Sequence, residues 1–240
     1  MRILIISDIH SNYEALEEVL GEKHDMIIFS GDAVDYGPDP DKVLERLMEI
    51  NPKSVMGNHD AANAFNIDCR CSEEFHDLSI YTRNYYKNKL NKNHIDYLAN
   101  LPYFINFEIE NYRFTAVHGS LEDYLYDYVR PDISEEALIK KFKFTESDFV
   151  IFGHTHLPFV RKIGKTTYIN PGSLGQPRDF DNRMSYAILD LNDVKVEIRR
   201  KRYDFEKTMN KIRDMDMDRK YKDILMSLIK NGGYREGNNL

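Results

Sequence analysis

The chain has 240 residues, 42% of them hydrophobic and 30% charged, with a formal net charge of -7. That length can bury a sizeable core, and the composition excludes a largely disordered chain. The acidic balance speaks against a dedicated nucleic-acid-binding surface, and the lack of any run of about 18 apolar residues excludes a membrane-spanning helix.

The chain opens on a short apolar run, Ile3 to Ile6, of the kind found in strands buried on both faces. This leaves no room for a signal peptide, and Cys69 and Cys71 stand too close together to staple a secreted fold, so the expected location is the cytoplasm. Asn12 to Gly21 predicts a helix: Ala15, Leu16, Val19 and Leu20 share a face, Asn12 suits the N-cap and Gly21 the end. Met26 to Phe29 is a second buried strand. Pro40 opens a second helix with Val43, Leu44, Leu47 and Met48 as its stripe, and Asn51-Pro52 stops it. A short strand over Ser54 to Met56 completes a β-α-β-α-β opening, which predicts parallel strands joined by right-handed crossovers.

Residues 61–102 break this rhythm and read as a helical insertion, with one helix from Ser72-Glu73-Glu74 to about Leu90 and another over His94 to Ala99. Strands then predominate: Ile105 to Glu110 and Phe114 to Val117 around Asn111, then Phe149 to Phe152. Two hairpins follow, Phe159 to Ile163 with Thr166 to Ile169, and Tyr186 to Leu191 with Val194 to Arg199. A helical extension begins near 204 and carries Ile224, Leu225, Met226, Leu228 and Ile229. A single domain over 1–240 accommodates all of these elements.

Five motifs punctuate the chain where apolar runs end: Asp8-Ile9-His10, Gly31-Asp32, Gly57-Asn58-His59-Asp60, Val117-His118-Gly119 and Gly153-His154-Thr155-His156. Open α/β folds place their chemistry where buried strands give way to loops. The set offers carboxylate, amide and imidazole donors enough for two transition-metal ions. Mixed nitrogen and oxygen ligation suits Mn or Fe, with Zn, Co or Ni also admissible. A carboxylate can span two ions, whereas a neutral imidazole gives one lone pair to one ion.

In this order the motifs resemble those of the calcineurin-like metallophosphoesterase superfamily, and Asn170-Pro171-Gly172-Ser173-Leu174-Gly175-Gln176-Pro177-Arg178 resembles its compact prokaryotic members. The resemblance implies an α/β fold, a four-layer αββα sandwich of two mixed β-sheets flanked by helices. Carried over position by position, it implies one ion held by Asp8, His10, Asp32 and His156. The second would be held by Asp32, Asn58, His118 and His154, with Asp32 bridging. Two such ions, about 3.5–4 Å apart, would lower the pKa of a bridging water and let it attack phosphorus in line. His59 is then the proton donor to the leaving group. Asp35 or Asp60 would hold its far ring nitrogen, and the Gly-Asp-x-x-Asp spacing of the related protein phosphatases favours Asp35.

The implied substrate is a small-molecule or nucleotide phosphoester, a monoester or a diester. Protein phosphatases carry an arginine where Tyr36 stands, which disfavours a phosphoprotein substrate, and Arg178 is the candidate phosphate clamp in its place. Net acidity disfavours a nuclease, and intact ligand positions disfavour a non-catalytic scaffold. Blander readings suffice elsewhere. Cys69 and Cys71 near His76 lack a fourth zinc ligand and read as loop thiols. His24, His76 and His94 read as helix or loop residues, Tyr81, Tyr85 and Tyr86 as helix-packing residues, Asn12 as a cap, and Arg199 to Arg202 as a solvated strand end.

Overall fold

The protein is described by a computed structural model covering residues 1–143 and 145–234; position 144 and the last stretch of the expected 1–240 domain, 235–240, lie outside the described residues. Among the described residues ten strands form two mixed five-stranded sheets. The first has the order β10-β9-β1-β2-β3, from β1 (Arg2–Ile6), β2 (Met26–Phe29), β3 (Lys53–Ser54), β9 (Met184–Asp190) and β10 (Lys195–Lys201). The second has the order β4-β5-β6-β8-β7, from β4 (Phe104–Ile109), β5 (Tyr112–Val117), β6 (Phe149–Ile151), β7 (Phe159–Ile163) and β8 (Thr166–Asn170). In the first sheet β1, β2 and β3 run parallel, while β9 pairs antiparallel with β1 and β10 antiparallel with β9; in the second, β5, β6 and β8 are parallel.

Strand alternation sorts the core into layers. Ile3, Ile5, Ile28, Ala187 and Leu189 of the first sheet meet Phe114, Ala116, Phe149, Ile151 and Ile169 of the second, filling the space between the sheets. Leu4, Ile6 and Phe29 point the other way, onto Leu16 and Val19 of α1 (Tyr13–Leu20) and Val43, Leu44 and Leu47 of α2 (Pro40–Ile50). On the far side, Val150 and Phe152 pack on Leu138 and Phe142 around α6 (Glu135–Lys141). Each such fully buried aliphatic side chain contributes about 2 kcal/mol before chain entropy is counted. The four layers are therefore present, but the outer layer on the second sheet is thin. Among the described residues it is one short helix capped by Ser134, which the sequence pattern did not reveal.

Local differences from the sequence reading have local causes. Asn12 caps α1 by accepting the Ala15 amide, but Gly21 sits in the right-handed region at φ -71°, so the helix ends without a left-handed residue. The third strand stops at Ser54, because the Met56 amide turns away to the Pro102 carbonyl. Asn58 and His59 begin a helix, α3 (Asn58–Phe65), which their polarity concealed. In the 61–102 segment α4 (Glu73–Tyr86) ends earlier than expected, and α5 (Lys92–Ala99) starts from an Asn91 cap and buries Leu98 in the helix-side core. The C-terminal region holds two helices, α7 (Phe205–Asp214) and α8 (Arg219–Asn231), the latter closed by left-handed Gly232 at φ 64°.

Helix α4 docks on that pair. Phe75, Leu78 and Tyr86 share a core with Met209, Ile212, Leu225 and Leu228, and the Tyr81 ring stacks on Tyr221 at 4.2 Å. The Tyr85 and Tyr81 hydroxyls accept the Asp216 and Asp218 amides. The basic run on β10 is paired: Arg199 and Lys201 bond Glu22, and Arg200 bonds Asp179. Among the described residues no helix is long and apolar enough to cross a membrane.

Candidate metal centre

The five motifs lie just past the carboxyl ends of β1, β2, β3, β5 and β6, on the same end of the two sheets. The turns that gather them are unusual. Asp8, His10, Ser11, Asp32, Asp35, Tyr36, His154 and His156 all adopt left-handed backbone, with φ between 46° and 67°. Each non-glycine residue held this way costs about 1–3 kcal/mol and persists only where its surroundings dictate it. Two glycines allow the loops to close up. A Cβ on Gly57 would strike the Asp32 carboxylate, and one on Gly153 would strike the Ser7 hydroxyl and the Asp8 carboxylate.

Two buried donor clusters result: Asp8, His10 and His156 in one, and Asp32, His118 and His154 in the other, with the donor atoms of each within 4.8 Å of one another. Asp32 Oδ2 faces both, 3.8 Å from His10 Nε2 and 3.2 Å from His118 Nε2. Its other oxygen, Oδ1, accepts the His59 amide at 2.9 Å, which fixes the carboxylate's orientation. Asn58 Nδ2 donates to the Cys69 carbonyl at 2.7 Å, leaving Oδ1 turned toward His118 Nε2 at 3.0 Å.

The imidazoles are oriented from behind. His10 Nδ1 donates to the Val34 carbonyl at 3.0 Å, His118 Nδ1 to Ser30 at 2.7 Å, and His156 Nδ1 to Gln176 at 2.5 Å. With Nδ1 as donor, Nε2 is the nitrogen that each ring turns inward, and in the neutral ring it carries the lone pair that a metal ion needs. Burial pushes the His10 pKa down to about 3 and those of His154 and His156 well below the usual range, so these rings are neutral. Burial opposes the ionisation of Asp32, yet His118 and His59 outweigh it and hold its pKa well below the ordinary carboxylate value. Burial likewise disfavours the charged form of His118, but Asp32 overrides it and raises the pKa to about 9.

Asp8 Oδ1 and Oδ2 and His154 Nε2 are buried with no hydrogen-bond partner, and burial raises the Asp8 pKa to about 7. Orphaned buried donors of this kind are costly unless a cation meets them. The residues present therefore fit two divalent ions, and the mixed imidazole, carboxylate and amide donors fit Mn, Fe, Zn, Co or Ni.

His59 sits beside the clusters, its ring edge-on to that of His10 at 5.0 Å. Its Nδ1 donates to Asp35 Oδ2 at 2.7 Å, and Asp35 is itself held by Asn63 at 2.7 Å and Arg83 at 3.1 Å. Burial disfavours the imidazolium, but Asp32 and Asp35 outweigh it and raise the pKa of His59. Its Nε2 lies 3.4 Å from the buried Tyr36 hydroxyl. Asp60 takes no part in this pairing. It accepts the Asp32, Ala33 and Gly57 amides at 2.8, 2.8 and 2.9 Å, knotting the loop after β2 to the start of α3.

Arg178 points its guanidinium over Phe75 at 4.4 Å and Tyr36 at 5.8 Å, bonds Gln176, and leaves Nε buried without a partner. Asp179, its neighbour in sequence, is engaged by Arg200 instead. Sequence reading missed several residues here: Phe75, Asn63, Arg83, and Tyr128, whose ring lies 4.0 Å from that of His154. Asn63 lies one turn after His59 on α3, the helix that the polarity of its first turn concealed. The others arrive from distant segments.

A family model described as the calcineurin-like phosphoesterase superfamily domain matches residues 1–194. An uncharacterized protein of Methanocaldococcus jannaschii is 33% identical over 231 residues, covering 88% of this chain and 91% of its own. Phosphodiesterase YfcE of Escherichia coli is 27% identical over 208 residues, covering 81% and 89%. Among solved structures, a metallophosphoesterase from Sphaerobacter thermophilus superposes with a TM-score of 0.80 at 29% identity, covering 97% of this chain and 99% of that one.

Proposed function

The chain belongs to the calcineurin-like phosphoesterase superfamily and is a metal-dependent phosphoester hydrolase, and on that premise we propose that it cleaves a small-molecule or nucleotide phosphomonoester or diester at a centre of two ions. One ion is assigned to Asp8, His10, Asp32 and His156, the other to Asp32, Asn58, His118 and His154, with manganese as the first candidate. The observation that carries this reading is Asp32 Oδ2, which faces donors of both clusters while its partner oxygen is tied to the His59 amide. When bound, such ions supply Lewis acidity and an activated water.

The chain's own residues divide the remaining work. Arg178, whose guanidinium lies over the Phe75 and Tyr36 rings, binds and orients the phosphate. His59 Nε2 delivers a proton to the leaving oxygen, while Asp35 fixes the tautomer and keeps the imidazolium available. Tyr36 packs against both His10 and His59 and excludes bulk water from their edges. The whole chain is read as one domain, with 61–102 as an insertion beside the site and a helical extension from about 204. A cytoplasmic setting goes with the two free thiols.

A metal-free scaffold is disfavoured by the unpaired Asp8 oxygens, which a protein without ions has no reason to bury. The test is a manganese-supplemented screen over generic monoesters and diesters and then nucleotides. Hydrolysis of at least one class is expected, and is lost on chelation. No turnover by protein shown to carry two ions would overturn the reading.

A further inference from the structure

Cys69 and Cys71 stand in the loop between α3 and α4, where left-handed Arg70 at φ 47° folds the chain back. Cys69 is buried, Cys71 is half-buried, and both are free thiols. Their sulfurs lie 3.0 Å apart, and Ser79 Oγ is 3.2 Å from the first and 3.6 Å from the second. His76, the histidine nearest in sequence, is occupied by Asp68 at 3.0 Å. The histidine that the fold brings to the thiols is His59: one of its ring nitrogens and the two sulfurs all lie within 4.8 Å of one another.

None of these three atoms is among the donors assigned to the two ions. We propose that Cys69, Cys71 and His59 form a third cation site, for a borderline or soft divalent ion such as zinc. Metal–sulfur and metal–imidazole bonds of about 2.3 and 2.0–2.1 Å let donors on one ion lie up to about 4.6 Å apart, so small side-chain shifts bring all three onto it. Thiolates select such an ion, whereas the oxygen-rich pair of clusters accepts harder ones. Asp35 holds Nδ1 of His59, so Nε2 is the nitrogen left to bind. Each thiol gives up its proton to solvent as its sulfur binds, and the fourth position is left to water.

Occupancy takes His59 Nε2 away from the leaving group, so the site is inhibitory. That consequence rests on the proposed role of His59; the binding itself does not. The Cys69 carbonyl also holds the Asn58 amide, so ordering this loop bears directly on the neighbouring centre.

Cadmium is the probe, added to manganese-loaded protein. Thiolate-to-cadmium charge-transfer absorption should rise and saturate at one ion per chain, with activity falling in parallel. The assigned two-ion centre contains no thiolate, so the absorption reports this site alone. Cys71→Ser should keep basal activity, weaken cadmium binding about 100-fold or more, and resist inhibition by the same factor. His59→Gln should also weaken cadmium binding while leaving both thiols in place. Wild-type protein without the absorption at stoichiometric cadmium would overturn the site, as would equal inhibition of wild type and Cys71→Ser. Either result leaves the phosphoesterase reading standing if the manganese-loaded protein hydrolyses esters.

Discussion

Asp32 and His59 differ in what their loss should remove. Asp32→Ala takes away the carboxylate that faces both clusters, so the purified variant should carry no stoichiometric ion by metal analysis; retention of two ions would end the bridging assignment. His59→Ala leaves every assigned ligand in place. Turnover should fall about 10²–10⁴-fold while metal content stays near normal. Asp35→Asn is a milder version, expected to cost about 10–100-fold, because the imidazole stays but loses the carboxylate that sets its tautomer. Arg178→Lys should raise KM about tenfold or more with kcat little changed, since a lysine keeps the charge but loses the planar fork. A change in metal content instead would mean that Arg178 supports the centre and not the substrate. At this scale the sequence was highly informative: the positions of Asp8, His10, Asp32, Asn58, His59, His118, His154 and His156 follow from motif order. It was silent on Phe75 and Arg83, because neither belongs to a motif and both reach the site only through the docking of α4.

Elements differ in how plainly their sequences announce them. Strand β1 is a run of branched aliphatics buried on both faces, and both α1 and α2 show clear stripes, so all three were legible. Helix α3 was not, since Asn58, His59 and Asp60 at its first turn are recruited by the site and leave too few apolar residues to show a period. Helix α6 is too short to show one. The C-terminal helices are tied back by ionic contacts that no pattern foretells. Lys211 of α7 bonds buried Glu14 of α1 at 2.5 Å and Asp39 at 2.6 Å. Burial works against the charge on Glu14, but Lys211 outweighs it and lowers the carboxyl pKa; burial likewise works against Lys211, and Asp39 and Glu14 outweigh it upward. A depressed carboxyl stabilises the fold above its unfolded pKa and loses that contribution as pH falls. A raised amine stabilises below its unfolded pKa and loses the contribution as pH rises. The contact therefore acts fully between the ordinary glutamate and lysine ranges. Lys211→Met should lower stability by about 2 kcal/mol at neutral pH, read as a shift in denaturant midpoint, and by less at pH 3. An equal loss at both pH values would show that packing, not charge, is responsible.

For the whole molecule, the centre is also a structural joint. Its donors come from both sheets and from α3, so ions bound there cross-link elements far apart in sequence. Each site occupied at about 100 times its Kd adds about 2.7 kcal/mol, and two such sites about 5 kcal/mol. Stripping the ions with a chelator should therefore lower Tm by about 10 °C or more, reversibly on adding manganese. A transition unmoved by saturating manganese would mean that the ions bind elsewhere or not at all. The sandwich itself was legible from the motif order, whereas the thin α6 side and the α4 contact with the terminal helices depend on packing between segments that share no periodicity.

The left-handed turns at Asp8, His10, Asp32, His154 and His156 also make the effect of losing a donor depend on whether ions are bound. Glycine at any of these positions relaxes a strained backbone, and at Asp8 it also removes an unpaired buried carboxylate. In ion-free protein, which lacks the stability that bound metal adds, such a replacement at Asp8 would therefore raise native-state stability, whereas in ion-loaded protein it would forfeit the larger contribution of the metal. In this architecture the strained turns are held in place by the ions they would bind, so loss of metal turns the same positions from a gain into a burden.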